Sequence, residues 1–216
     1  MNKSVSNKKV KILLPDSLEE CEQSSLSEID EEETVSGKFK DDEIFERRFN
    51  RLAFDCCVFE KESLIGCRLE GCFVDNVTFD GCDLSNTSFY NCSLYKVHFK
   101  GCKMVGTVFE KTNFNNVTFT DCNLSYSSFY ESKLKGVQVS SSKMENPTFY
   151  SSEQKNLYFN SCEIKNLELN RTSFSGCDLT DSILMGATFT GREFQGCKVT
   201  PEQAVVLAKV LGIIVE

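Results

Sequence analysis

The chain has 216 residues, with 24 Lys and Arg against 32 Asp and Glu and a formal net charge of −8. That length and a 40% hydrophobic fraction suit one domain with a sizeable core, and the acidic balance argues against a nucleic-acid binder driven by phosphate neutralisation. The single histidine, His98, leaves no His pair for a metal site, and no early apolar run is long enough for a signal core or a membrane span. A reducing cytoplasm is the expected setting, with the 12 cysteines as thiols.

In chain order, residues 1–43 come first and hold 12 acidic and 6 basic residues, so most of the net charge lies there. They read as a solvated, partly disordered arm, with Lys9–Leu14 as a short strand capping the first repeat. From Ile44 to Val199 one rule governs the chain. Every fifth residue from Phe49 to Val199 is apolar at 30 of 31 positions, and 15 of the 18 phenylalanines fall on that count. Two residues before most centres, as from Cys67 to Cys122, stands a small or β-branched side chain, and 10 of the 12 cysteines occupy this slot. Two residues after the centre come 10 of the 12 glycines, with Asn76, Asn86, Asn91, Asn116, Asn146, Asn156 and Asn166 in the same place.

A period of five matches neither the helix period nor strand alternation. It fits a chain that turns a corner every five residues, with the centre and the small residue pointing inward. Gly and Asn supply the backbone freedom needed where φ becomes positive. Four sides close a square coil of 20 residues, and nearly eight coils stacked about 4.8 Å apart make a rod roughly 37 Å long. Gln154 is the one polar centre. It reads as a locally imperfect core position with its amide hydrogen-bonded, the alternative being a ligand-contacting bulge.

Residues 200–216 close the chain differently. Thr200-Pro201-Glu202-Gln203 reads as an N-cap, a proline at the first helical position and a capping box, with a helix through Leu211 and Gly212 to end it. Ile213–Val215 comes next as a short extended piece. Val206, Leu207, Val210, Leu211, Ile213 and Ile214 are too many apolar groups for a terminus left in water. They are the expected interface of an end-to-end dimer.

The five-residue unit resembles that of the pentapeptide repeat family, usually written Ala-Asp/Asn-Leu-X-X. The family's Asp or Asn before the centre is kept only at Asp83, Asn113, Asn123 and Asp178. The resemblance implies an all-β fold, a right-handed quadrilateral β-helix with a short C-terminal helix. The segment Val199–Glu216 resembles the C-terminus of the quinolone-resistance (Qnr-type) members, most of all the loop-free versions of Gram-positive bacteria. That resemblance implies a homodimer forming a long rod of DNA-like dimensions. It also implies DNA-like surface charge, binding to DNA gyrase and topoisomerase IV, and protection from fluoroquinolones, while the acidic balance leaves no direct contact with nucleic acid expected.

Chemistry of other kinds finds little support in the residues. His98 lies on the outer surface with no fixed acidic neighbour, and no catalytic set emerges. Cys82, Cys102 and Cys122 stack on one wall and Cys72 and Cys92 on another, which divides the ligands of any metal site; no metal or cofactor is expected. These thiols read as small buried hydrophobes. Residues 44–200 carry 17 basic and 18 acidic residues, so a strongly negative DNA-like rod is not written in the coil. The wall through Leu84, Met104 and Leu124 is mildly acidic at its start, while Arg47, Arg48 and Arg51 make another wall locally basic. An interaction scaffold with an unrelated partner is the alternative function.

Overall fold

The computed structural model describes residues 34–40 and 42–216. Parallel strands pair at a constant offset of 20 residues, as in Phe59↔Phe79, Phe79↔Phe99 and Phe99↔Phe119. The outcome is a four-walled coil. The first wall runs through Leu84 and Met104, the second through Phe89 and Phe109, the third through Leu94 and Phe114, and the fourth through Phe99 and Phe119. Two nine-stranded sheets wrap the core, one made of the first and second walls and the other of the third and fourth.

The repeat produces this shape through its corners. At every fifth residue from Glu46 to Gly176 φ is positive, and 20 of these corners are not glycine. The left-handed conformation costs a non-glycine residue about 1–2 kcal/mol. The cost is offset because the reversal aims corner N–H groups at carbonyls of the next coil, as in Asn91 to Glu110 and Lys111 to Tyr130, both at 2.9 Å. At Gly106 the absence of a Cβ leaves room for the Asn86 side-chain amide, which would otherwise have to shift.

Inside the coil, the centres stack directly over one another. On the fourth wall Phe39, Phe59, Phe79, Phe99 and Phe119 form a continuous ladder with ring centroids 4.6–5.0 Å apart. A second ladder joins Phe89, Phe109, Phe129 and Phe149. The rings stack because the coil pitch matches the spacing that parallel aromatic faces prefer.

The residue two before the centre proves to be a hydrogen-bond donor as well as a small group. The Thr112 hydroxyl donates to the Phe89 carbonyl at 2.9 Å, Ser132 to Phe109 at 3.1 Å and Ser152 to Phe129 at 3.0 Å. Cys72, Cys82, Cys92, Cys102 and Cys122 make the same bond with their thiols, at 3.3–3.4 Å. These thiols are therefore more than small hydrophobes: each adds a side-chain donor to the backbone carbonyl of a neighbouring centre. Burial favours the protonated donor and pushes the Cys57 thiol up to about 12.

The coil starts earlier than residue 44. Thr34–Lys40 forms a strand beside Ala53–Glu60, and Phe39 is fully buried beneath Phe59. The register shifts between Val35 and Gly37, so four residues here face five on the next coil. That slip takes the buried Val35 out of the five-residue phase and leaves Phe39 with no regular unit before it. The expected strand at Lys9–Leu14, and the rest of the arm through residue 33, lie outside the described residues.

At the other end, Pro201–Val210 is a helix with Thr200 as N-cap and a complete capping box. Gly212, at φ +75°, ends it: Gly212 N–H bonds the Lys209 carbonyl and Ile213 N–H the Ala208 carbonyl. Gln203 also ties the helix to the rod, its Nε2 donating to the carbonyls of Leu179 at 2.8 Å and Ser182 at 2.7 Å. Ile213–Val215 pairs with no strand among the described residues.

Two substitutions test the ladder and the donor slot. Phe99→Ala breaks the fourth-wall ladder and should cost about 3–5 kcal/mol in urea unfolding, whereas Phe73→Ala, 61% exposed, should be nearly neutral. Thr112→Val keeps the shape but removes the hydroxyl's bond to the Phe89 carbonyl, and should cost about 0.5–1.5 kcal/mol more than Thr112→Ser.

Candidate functional site

Two kinds of surface remain once the core is closed: the apolar tip and the outer walls. The six apolar residues expected at the tip divide into two groups. Leu207 packs against the core and Val206 is half-buried, so both help seat the helix on the rod. Val210, Leu211, Ile213 and Ile214 are exposed, Ile214 at 86%. Val215 belongs with them, as do Ile183 and Met185 on the last coil of the first wall. These last two were missed in the sequence, although apolar residues in normally polar outward slots are a readable signal. The helix packs on the strand Ile183–Phe189, which puts the two groups at the same end of the rod. Clustered apolar side chains at one end of a rod are characteristic of a contact surface.

The walls carry ordered charge. On the fourth wall Lys100 pairs with Asp80 at 2.9 Å and Lys198 with Asp178 at 3.5 Å. On the first, Lys103 pairs with Asp83 at 2.9 Å and Lys143 with Glu145 at 3.2 Å. The 20-residue pitch sets the cross-coil pairs, because residues one coil apart lie side by side. Such exposed pairs contribute little stability. Their larger effect is to neutralise carboxylates that would otherwise make these walls resemble a polyanion.

His98 is half-buried beside Lys100, and burial together with that ammonium lowers its pKa. Its ring nitrogen lies 3.4 Å from the Thr120 hydroxyl. Asp80 acts on the ring through its charge, but among the described residues no carboxylate is hydrogen-bonded to it. Among the described residues no cluster of His, Cys, Asp and Glu is arranged to hold a metal ion. No helix among them is long and apolar enough to cross a membrane.

Gln154 leaves the core stack. Its amide reaches the next coil and donates to the carbonyls of Ser173 at 3.2 Å and Ser175 at 2.8 Å. Regular pairing on the third wall ends with Glu153–Asn160, and the side chain takes over where the ladder lapses. Beyond it lies a shallow depression of about 590 Å³ lined by Arg171, Ser173, Ser175, Arg192 and Gln195.

Comparison with known proteins bears on this architecture. A family described as a pentapeptide repeat region matches residues 72–149 and, overlapping, 93–169; one described as pentapeptide repeats (8 copies) matches 157–200. No curated protein matches the chain. Among solved structures, a trypsin-treated variant of QnrB1, a plasmid-mediated fluoroquinolone resistance protein, is 21% identical over 85% of this chain and 97% of that one, with a TM-score of 0.39. HetL, a pentapeptide repeat protein involved in heterocyst differentiation regulation from Nostoc sp. strain PCC 7120, is 14% identical over 78% of this chain and 84% of that one, with a TM-score of 0.37. With the family matches running together from residue 72 to 200, over the stretch where the 20-residue coil and its corners are built, the chain belongs to the pentapeptide repeat family.

Proposed function

We propose that this protein is a non-catalytic β-helical rod that dimerises through its C-terminal tip, binds a type II DNA topoisomerase and protects it from fluoroquinolones. The observation that carries the reading is the tip. A capped helix pinned by Gln203 presents Val210, Leu211, Ile213 and Ile214 to solvent, in a segment that resembles the dimerising C-terminus of Qnr-type proteins. Joining two tips about a two-fold axis covers these groups and doubles the rod's length.

The walls bear on the binding mode. Lysines neutralise the carboxylates of the first and fourth walls, so the rod engages its enzyme through a specific surface rather than by general imitation of duplex charge. The same near-neutral walls favour a second reading, an interaction scaffold for an unrelated protein.

The dimer is tested by Leu211→Asp with Ile214→Asp, which alters exposed positions and leaves the helix anchored. Light scattering should give a dimer for the wild type and a monomer for the variant; a wild-type monomer removes the tip from the mechanism. Function is tested by gyrase supercoiling in ciprofloxacin, titrated with each form. Rescue by the wild type and loss of rescue in the variant support the proposal. No rescue by the wild type, with no effect on gyrase in the absence of drug, favours the scaffold reading.

A further inference from the structure

We propose that the C-terminal half of the third wall is a binding site for an acidic polypeptide segment. Lys133 and Lys135 flank Leu134, and Lys155 stands one coil beyond Lys135 in direct register. All three are exposed, and none forms an ion pair among the described residues. Lysines on the first and fourth walls behave differently: Lys100, Lys103, Lys143, Lys165 and Lys198 each have a carboxylate partner. Glu153 lies in register with Lys133 one coil on but forms no ion pair with it among the described residues, so this stretch of the third wall carries a net positive charge in a protein whose overall charge is −8.

The strip leads into the depression beyond Gln154. Arg171 and Arg192 stand exposed at its rim without ion pairs among the described residues, beside Ser173, Ser175 and Gln195. Glu193 also lines it, but its carboxylate is buried and accepts bonds from the Thr190 hydroxyl and the Gly191 N–H, both at 2.7 Å. Two guanidinium groups beside hydroxyls and an amide suit a carboxylate, which arginine grips with paired hydrogen bonds. Glu153 is the one exposed carboxylate on the outward slots of this stretch.

Polarity along the wall sets the size of the partner. Its opposite end carries Asp55 and Asp75, and burial and the Asp55 charge both raise the Asp75 pKa. Between the two ends lie Tyr95 and Lys96, the ammonium over the ring at 5.0 Å. A long polyanion laid along the rod would run onto those aspartates. From Lys96 to Arg192 is five coils, about 24 Å, which an extended peptide spans with about seven residues. The wall is a sheet face with its backbone already paired, so the contact is between side chains and its strength depends on salt. An acidic segment is the chemistry by which a protein partner would meet this wall, and it rests on the reading of the rod as a protein-binding surface, whether or not that partner is a topoisomerase.

The test is fluorescence anisotropy of a labelled octapeptide of alternating Asp and Glu against the full chain, with a short DNA duplex in parallel. Three variants accompany the wild type: Lys133→Glu/Lys135→Glu/Lys155→Glu, Arg171→Ala/Arg192→Ala, and Lys103→Glu/Lys143→Glu/Lys165→Glu on the first wall, the last matching the net-charge change of the first. Circular dichroism establishes that each is folded. The expected result is peptide binding that falls about tenfold or more in both third-wall variants and changes little in the first-wall control. Equal weakening by the two lysine sets, no binding by the wild type, or tighter binding of the duplex than of the peptide would each overturn the proposal. Because gyrase is absent from the assay, its failure is distinct from failure of drug protection.

Discussion

Everything in this protein depends on a backbone that returns to the same place every 20 residues. The return is enforced by left-handed corners at every fifth position from Glu46 to Gly176, whose N–H groups are aimed at the next coil. Non-glycine residues resist that conformation, and most corners here are not glycine. They hold it because the hydrogen bonds of the neighbouring coils leave no better alternative. Stability therefore comes from stacking, and each coil depends mainly on its neighbours.

Inside the rod, the fixed pitch has two effects. It places like residues over like, which turns single phenylalanines into ladders of parallel rings. It also brings the carbonyl of each such centre within reach of a slot 23 residues further on, where a hydroxyl or a thiol donates to it. Cysteine, serine and threonine alternate in that slot because all three are small and all three donate. Where valine occurs, as at Val97 and Val117, side-chain donation is given up in favour of apolar filling.

On the outside, the same pitch makes columns. Residues 20 apart are neighbours, so a lysine in one coil meets an aspartate in the previous one on the first and fourth walls, while on the third wall Lys133, Lys135 and Lys155 outnumber Glu153 and form no ion pair among the described residues. A rod with only a shallow depression among its described residues can still be selective if its walls differ. The tip adds a surface of another kind, apolar and held in place by Gln203, which serves at once in the capping box and as an anchor to the last coil.

The apolar count from Phe49 to Val199, the corner residues and the capping box at Thr200 to Gln203 sufficed to determine the coil and its terminal helix, because each is a local rule repeated in fixed phase. Phe39 keeps the phase, but the bulge near Gly37 leaves Thr34 where the preceding centre should stand, and only pairing with Ala53–Glu60 places Phe39 in the core. The destination of the Gln154 amide depended on the next coil lapsing from the ladder. Its polarity marked the position but could not say where it would bond. Which of the tip's apolar groups face water was also a tertiary matter: Leu207 and Leu211 are four apart, yet one packs on the rod and the other does not. Charge pairing was decided last of all. Sequence places a lysine on a wall through the pitch, but whether a carboxylate lies within reach depends on the side chains of the adjoining coils, which only the folded rod brings together.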